Sequence, residues 1–490
     1  IMSSDWSSDV CSSDLGAACD VCPGNWDPDA GCAACQPGFA GADCELCVRF
    51  AAAGAPADGA DGLSWSSAFP RASDAADDAL DALLAADGPE SCEVWAAAGV
   101  YYVYDDGADD ALDLAPGVAA YGGFAGGEQL RADRDPAQHA TVLDGRHHDG
   151  AVQRVRHVVI AGDGATLDGF EVRFGGALGD QEQSAGRGGG LLVTGGAPRV
   201  ARCRFTDNEA KLGGALYSAG ASPEIESCVF EGNQAELAGG GALLDGGGGT
   251  LLDCRFTENT AGTNGGALRT YDSEALLSEC LLEDNEAAVH GGGAFNEGGA
   301  PTFRGVEISG NVALFGGGGA FDLETAAVFE DCVFDGNVAG EAGGALRDFE
   351  SSTAVRRSWF TGNEAEGGGA IALVDSGGEI ARSAFVGNTC GNDGGSAVHA
   401  VGSPAQIEAC TFAGNTTDVP SGALFLEDGS DCEVTSSILW GNSPDQITSY
   451  GSTPAITSSD VQGGAAGAGN LDADPLFVDL EGGASHRTEI

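Results

Sequence analysis

The residues of this chain most able to do chemistry lie in one short stretch, where Arg347 and Asp348 are followed by Glu350. A base beside carboxylates can neutralise an acidic group and move a proton, so this trio is the catalytic candidate, with a solvated ion pair as the alternative reading. Acids also recur just after a repeated glycine box, and four of them, Asp322, Glu324, Asp348 and Glu350, are the candidates for calcium, a hard cation that takes oxygen ligands. The plain alternative is an acidic, solvated surface. His147 and His148 adjoin Asp144 and Asp149 in what reads as a turn. Near the front, Cys19, Cys22, Cys32, Cys35, Cys44 and Cys47 form three Cys-x-x-Cys pairs, which read as disulfides in an oxidising location or as zinc ligands inside a cell.

The elements that must position these residues follow from a repeat. An apolar residue, two variable residues and Asn recur to give Asn208, Asn233, Asn259, Asn285, Asn311, Asn337, Asn363, Asn388, Asn415 and Asn442, at intervals of 25 to 27. A second phrase keeps pace with it, seen at Gly213-Gly214-Ala215-Leu216, Gly265-Gly266-Ala267-Leu268 and Gly343-Gly344-Ala345-Leu346. Each repeat thus holds short apolar runs bounded by turn residues, which predicts strands rather than helices. A constant period means stacked coils, and the strand and turn chemistry predicts an all-β, right-handed parallel β-helix. Asn tolerates a left-handed backbone and can pass its amide from coil to coil, so the ten are expected to form a structural ladder. A row of small residues, Cys203, Cys228, Cys254, Cys280, Cys332 and Cys410 with Ser358, Ser383 and Ser437 elsewhere, reads as an inward stack, close enough between coils for a disulfide.

The two phrases resemble the repeats of polymorphic outer-membrane proteins. Ser437-Ile438-Leu439-Trp440-Gly441-Asn442-Ser443-Pro444-Asp445-Gln446-Ile447, with Gly469-Asn470-Leu471-Asp472-Ala473-Asp474-Pro475-Leu476-Phe477, resembles the C-terminal region of bacterial "choice-of-anchor Q" β-helix proteins. Glu93-Val94-Trp95-Ala96-Ala97-Ala98-Gly99 resembles the opening of the same proteins. This likeness implies a β-helix and surface export, and no particular activity. Cys35-Gln36-Pro37-Gly38-Phe39-Ala40-Gly41-Ala42-Asp43-Cys44 is similar to the end of an EGF-like, laminin-type module, which implies that the six front cysteines form disulfides.

Domain boundaries follow these shifts. Residues 1–15 resemble adapter sequence, 16–48 form the small disulfide-rich EGF-like module, 49–135 a capping segment and first coils, 136–445 the β-helix, and 446–490 a C-terminal coil region that reads as cut short. An amphipathic helix is expected within 65–86. With 75 acidic residues against 21 basic ones, a formal charge of −54 and the single lysine Lys211, nucleic acid is excluded as a partner. No stretch approaches the length of a membrane-spanning helix. The chain therefore reads as an extracellular or bacterial cell-surface protein, outer-membrane-associated, that binds polysaccharide or other surface components or has a structural role. It needs no cofactor beyond possible calcium. A lyase or glycoside hydrolase of acidic polysaccharides is the alternative, resting on fold analogy.

Overall fold

The computed structural model describes residues 39–40, 46–85, 89–149, 152–179 and 186–477. The adapter-like segment 1–15 and Cys19, Cys22, Cys32, Cys35 and Cys44 lie outside the described residues. The chain divides into two compact units, one holding Ile1–Tyr101 and Leu112–Val142, the other Tyr102–Ala111 and Leu143–Ile490.

In the first unit, strand Phe39–Ala40 pairs antiparallel with Leu46–Ala51, which runs parallel to Cys92–Ala97 and, through it, to Val118–Phe124. The expected helix forms as Ala72–Leu84 and buries Ala72, Ala75, Ala76 and Ala79. These small residues, spaced three and four apart, let the helix approach the strands closely. Val48, Phe50, Ala68, Trp95 and Phe124 form the core, with Trp95 stacked on Phe124 at 4.8 Å. Cys47 and Cys92, opposite each other on adjacent strands, form a disulfide with Cα atoms 4.7 Å apart. The Cys-x-x-Cys spacing predicts a partner for Cys47 within its own cluster. It pairs instead with a residue 45 positions along, because parallel pairing stacks the two strands in register.

The second unit is a parallel β-helix. Each coil adds a strand to each of four sheets, as Thr302–Arg304, Glu307–Ser309, Val312–Ala313 and Ala320–Leu323 show. The strands of this coil lie in register on their counterparts one repeat later: Thr302 on Val328, Glu307 on Val333, Val312 on Val338, Ala320 on Leu346. Within a strand, alternate residues enter the coil, so Phe205, Phe230 and Phe256 stack inside at 4.9 and 4.4 Å.

The corners explain the repeated residue types. All ten asparagines are buried. In the middle of the row the Asn311 backbone N–H and Nδ2 both donate to Asn337 Oδ1, at 3.1 and 3.0 Å, while Nδ2 also donates to Leu282 O at 2.8 Å. The row ends where Asn442 Nδ2 donates to Gln446 Oε1 at 2.6 Å. The left-handed backbone sits not on Asn but on the residue before it, as at Asp207 (φ 54°), Glu258 (φ 56°) and Asp284 (φ 54°). That bend turns the following Asn inward, where its amide satisfies backbone groups water cannot reach.

The glycine box has two separate demands. Gly343 takes φ +67°, and a Cβ on Gly344 would lie 2.2 Å from the carbonyl oxygen of Gly369 in the next coil. The row of small residues does at a third corner what Asn does at its own. Cys332 N donates to Ser358 Oγ and Ser358 N to Ser383 Oγ, each at 3.1 Å, and Cys203 N reaches Cys228 Sγ at 3.4 Å. Cysteine stands in for serine as the acceptor there.

Candidate functional site

One of the four sheets ends each coil with the strand that follows the glycine box, and its outward residues form a row across coils: Phe295, Phe321, Arg347, Ala372, His399 and Phe425. Large side chains fill this row except at Ala372. Beside it, on the short ten-stranded sheet, Gly367 also lacks a side chain. The two small residues leave an open hollow of about 410 Å³, bounded by Arg347, Glu341, Glu366, Asn392, Asp393 and His399. That volume is in the range of small-molecule and saccharide sites.

Each wall has a local cause. Arg347 lies across Gly316, where a Cβ would meet its Cδ at 2.6 Å. A Cβ on Gly367 would sit 3.1 Å from Asp393 Cβ and 3.2 Å from His399 Nδ1, so the absent side chain lets both approach the floor. The repeat changes length at this place: the step from Asn363 to Asn388 is 25 residues and the next, to Asn415, is 27. The longer coil carries the strand Thr389–Gly394, whose Asn392 donates through its backbone N–H and Nδ2 to Glu366 Oε2, at 3.1 and 2.5 Å.

The electrostatics are uneven. Burial holds the Arg347 guanidinium below its ordinary pKa, and its closest carboxylate, Glu341, is 3.6 Å from Nη1, beyond hydrogen-bond range. Arg347 Nε and Nη1 are buried and donate to no protein group. His399 Nε2 is 3.1 Å from Glu427 Oε2. A ligand here meets the Arg347 side chain, 18 % exposed, the carboxylate acceptors Glu341 and Asp393, and the rings of Phe321 (5.7 Å from the Arg347 guanidinium) and Phe425 (5.1 Å from His399) flanking the row.

The catalytic trio read from sequence does not converge. Arg347, Asp348 and Glu350 follow one another along a strand and its turn, so pleating sends Arg347 outward and Asp348 inward, 2 % exposed, while Glu350 occupies the bend with φ 51°. Arg347 and Asp348 therefore form no ion pair. The calcium candidates divide in the same way: Asp322 and Asp348 are interior, and Glu324 (φ 48°) and Glu350 sit at bends. Among the described residues no three His, Cys, Asp or Glu side chains are grouped to hold a metal ion.

Inside the coil, Asp322 and Asp348 belong to a polar row behind the hollow. Thr270 Oγ1 donates to Asn296 Oδ1 at 2.8 Å, Asn296 Nδ2 to Asp322 Oδ1 at 2.7 Å, and Thr353 Oγ1 to Asp322 Oδ2 at 2.8 Å. Burial pushes Asp322 up to about 6, and burial, then the neighbouring Asp322 charge, pushes Asp348 well above the ordinary carboxylate range. The two carboxyls are in-register partners on adjacent coils, so a charge on one disfavours a charge on the other.

His147 pairs with Asp149 at 2.8 Å, while Asp144 is buried and held by Arg146 and Arg173, at 2.8 and 2.9 Å. Glu341, Glu366, Gly367, Ala372, Asp393 and His399 were not singled out from sequence. The available signals were the 25-then-27 step and an alanine in a row of aromatic and arginine residues.

Among solved structures, the chain is similar to PfbA, a surface adhesin of Streptococcus pneumoniae, at 10% identity over 81% of this chain and 86% of that one, with a TM-score of 0.28. It is also similar to the Dettilon tailspike protein, at 14% identity over 78% of this chain and 64% of that one, with a TM-score of 0.26. No curated protein matches the chain. No described helix is long and apolar enough to cross a membrane. Residues 216–389, less than half of the chain, match the family described as "Right handed beta helix region".

Proposed function

We propose that this protein is a secreted or cell-surface β-helix that binds carbohydrate in the hollow between Arg347 and His399. The observation that carries the reading is an open hollow of about 410 Å³ lined together by Arg347, His399, Asn392 and the carboxylates Glu341, Glu366 and Asp393. Vicinal hydroxyls donate and accept at once, and so match such a mixed wall. The Cys47–Cys92 disulfide supports an oxidising, extracellular setting. Three carboxylates against one arginine and one histidine, on a chain of formal charge −54, favour a neutral glycan over a polyanion.

Isothermal titration calorimetry with a panel of neutral and uronic oligosaccharides tests this. Ala372→Phe should fill the hollow as Phe321 and Phe425 fill their own positions, and abolish binding without unfolding the coils. Binding that survives Ala372→Phe would overturn the assignment.

The His399–Glu427 contact favours one second reading, in which His399 acts as a base on a bound polysaccharide. A hydrolase also needs two carboxyls flanking the scissile bond, and Glu366 is already occupied by Asn392. Incubation with pectin and alginate, followed by absorbance of unsaturated products, decides this reading. A rise in absorbance that disappears in His399→Ala would establish it.

A further inference from the structure

The inward row at the third corner contains four cysteines in succession, Cys203, Cys228, Cys254 and Cys280, before Val306 interrupts it. Each sits between two strands paired in register with the next coil: Ala201 on Glu226 and Arg204 on Val229, then Leu252 on Ser278 and Arg255 on Leu281. Register of this kind spaces neighbouring Cα atoms by about 4.8 Å, inside the roughly 4.4–6.8 Å range that disulfides span. This chain already bonds one such pair, since Cys47 and Cys92 are in-register partners on adjacent parallel strands, 4.7 Å apart at Cα.

Four neighbours in one row pair without remainder only as Cys203 with Cys228 and Cys254 with Cys280, and the Cys203 backbone N–H already reaches Cys228 Sγ at 3.4 Å. In the structure all four are buried thiols.

We propose that Cys203–Cys228 and Cys254–Cys280 are inter-coil disulfides in protein that folds in an oxidising compartment. The oxidant is a small disulfide such as glutathione disulfide. One cysteine thiolate attacks a glutathione sulfur and expels glutathione thiolate, and the second cysteine thiolate displaces the remaining glutathione from the mixed disulfide. The cysteine pair loses two hydrogens and two electrons, and two glutathione thiols carry them away. Exchange takes place while the coils are forming, because the folded interior closes over the sulfurs. The bonds staple four coils in two pairs, closing loops of 25 and 26 residues.

The remaining buried cysteines serve as internal controls. Cys332 lies between Val306 and Ser358 in the same row, Cys410 lies between Ser383 and Ser437, and Cys390 and Cys432 belong to other positions of the coil.

The test is to refold the full chain in a glutathione redox buffer, quench in acid, alkylate the denatured protein with iodoacetamide without reductant, digest with pepsin and map peptides by mass spectrometry. The expected result is two cross-linked peptides, Cys203 with Cys228 and Cys254 with Cys280, and alkylated Cys332, Cys390, Cys410 and Cys432. Alkylation of all four row cysteines overturns the proposal, and so does a Cys228–Cys254 bond with both end cysteines alkylated. Cys228→Ser should leave Cys203 alkylated and Cys254–Cys280 intact; capture of Cys203 by any other cysteine also overturns the assignment.

Discussion

Replacing Asp322 with Asn tests the buried carboxyl pair through the pH dependence of stability. Asp322 is fully buried and its pKa stands at about 6 against an ordinary 3.8. The folded value lies above the unfolded one, so its contribution to stability is fully present below about pH 4 and is lost as pH rises through about 6. A gap of about two pH units, at about 1.4 kcal/mol each, amounts to about 3 kcal/mol of stability absent at neutral pH. In Asp322→Asn the introduced amide would keep an oxygen for Asn296 Nδ2 and offer an N–H towards Thr353 Oγ1 and towards Asp348 Oδ1, which has no partner in the wild type. The variant should therefore gain on the wild type by up to about 3 kcal/mol, the gain building between about pH 4 and pH 6 and levelling off above it. Urea denaturation of both proteins, followed by circular dichroism at steps across that range, measures the difference. Taking the difference removes the shared effect of the surface acids. Solenoids can open coil by coil, so the comparison is made on the first cooperative transition. Parallel stability curves for the two proteins across the whole range would refute the reasoning.

Three further outcomes follow from the coil interior. Asn311→Ala, in the middle of the ladder, removes donors to Leu282 O and Asn337 Oδ1 and strands the Asn285 N–H that Asn311 accepts, so it should cost about 3 kcal/mol or more by urea denaturation. Gly344→Ala places a methyl 2.2 Å from the Gly369 carbonyl oxygen, and since backbone on both sides cannot yield, the expected outcome is loss of soluble folded protein or a melting temperature lowered by many degrees. Calcium or a chelator should leave the melting temperature unchanged, because the described acids do not cluster in threes; a calcium-dependent rise would revive the acid-row reading.

Much of the fold was legible because its causes are local and repeated. A bend residue, an inward Asn and a glycine box recur every 25 to 27 residues, and each carries its own turn chemistry wherever it stands. The helix Ala72–Leu84 was legible in the same way, from alanines spaced to make one face. The candidate site was not. Arg347 and Asp348 are neighbours in sequence, which suggested cooperation, yet strand pleating places them on opposite faces. Arg347 instead shares a wall with Glu341, Asn392 and His399, residues brought to it by stacking. Cys47 likewise looked committed to its own cluster until parallel pairing brought Cys92 alongside.

What the sequence by itself determined is the coil: its period, its corners and which side chains turn inward, since these depend on backbone preferences within a few residues. Only the tertiary structure decided which coils meet which, and so where two small residues, Gly367 and Ala372, open a hollow, which donors of Arg347 go unmet, and why the carboxyls of Asp322 and Asp348 are pushed up. Those properties arise from groups one coil apart in space and about 26 residues apart along the chain, and burial between coils sets both the missing partners and the raised carboxyl pKa values.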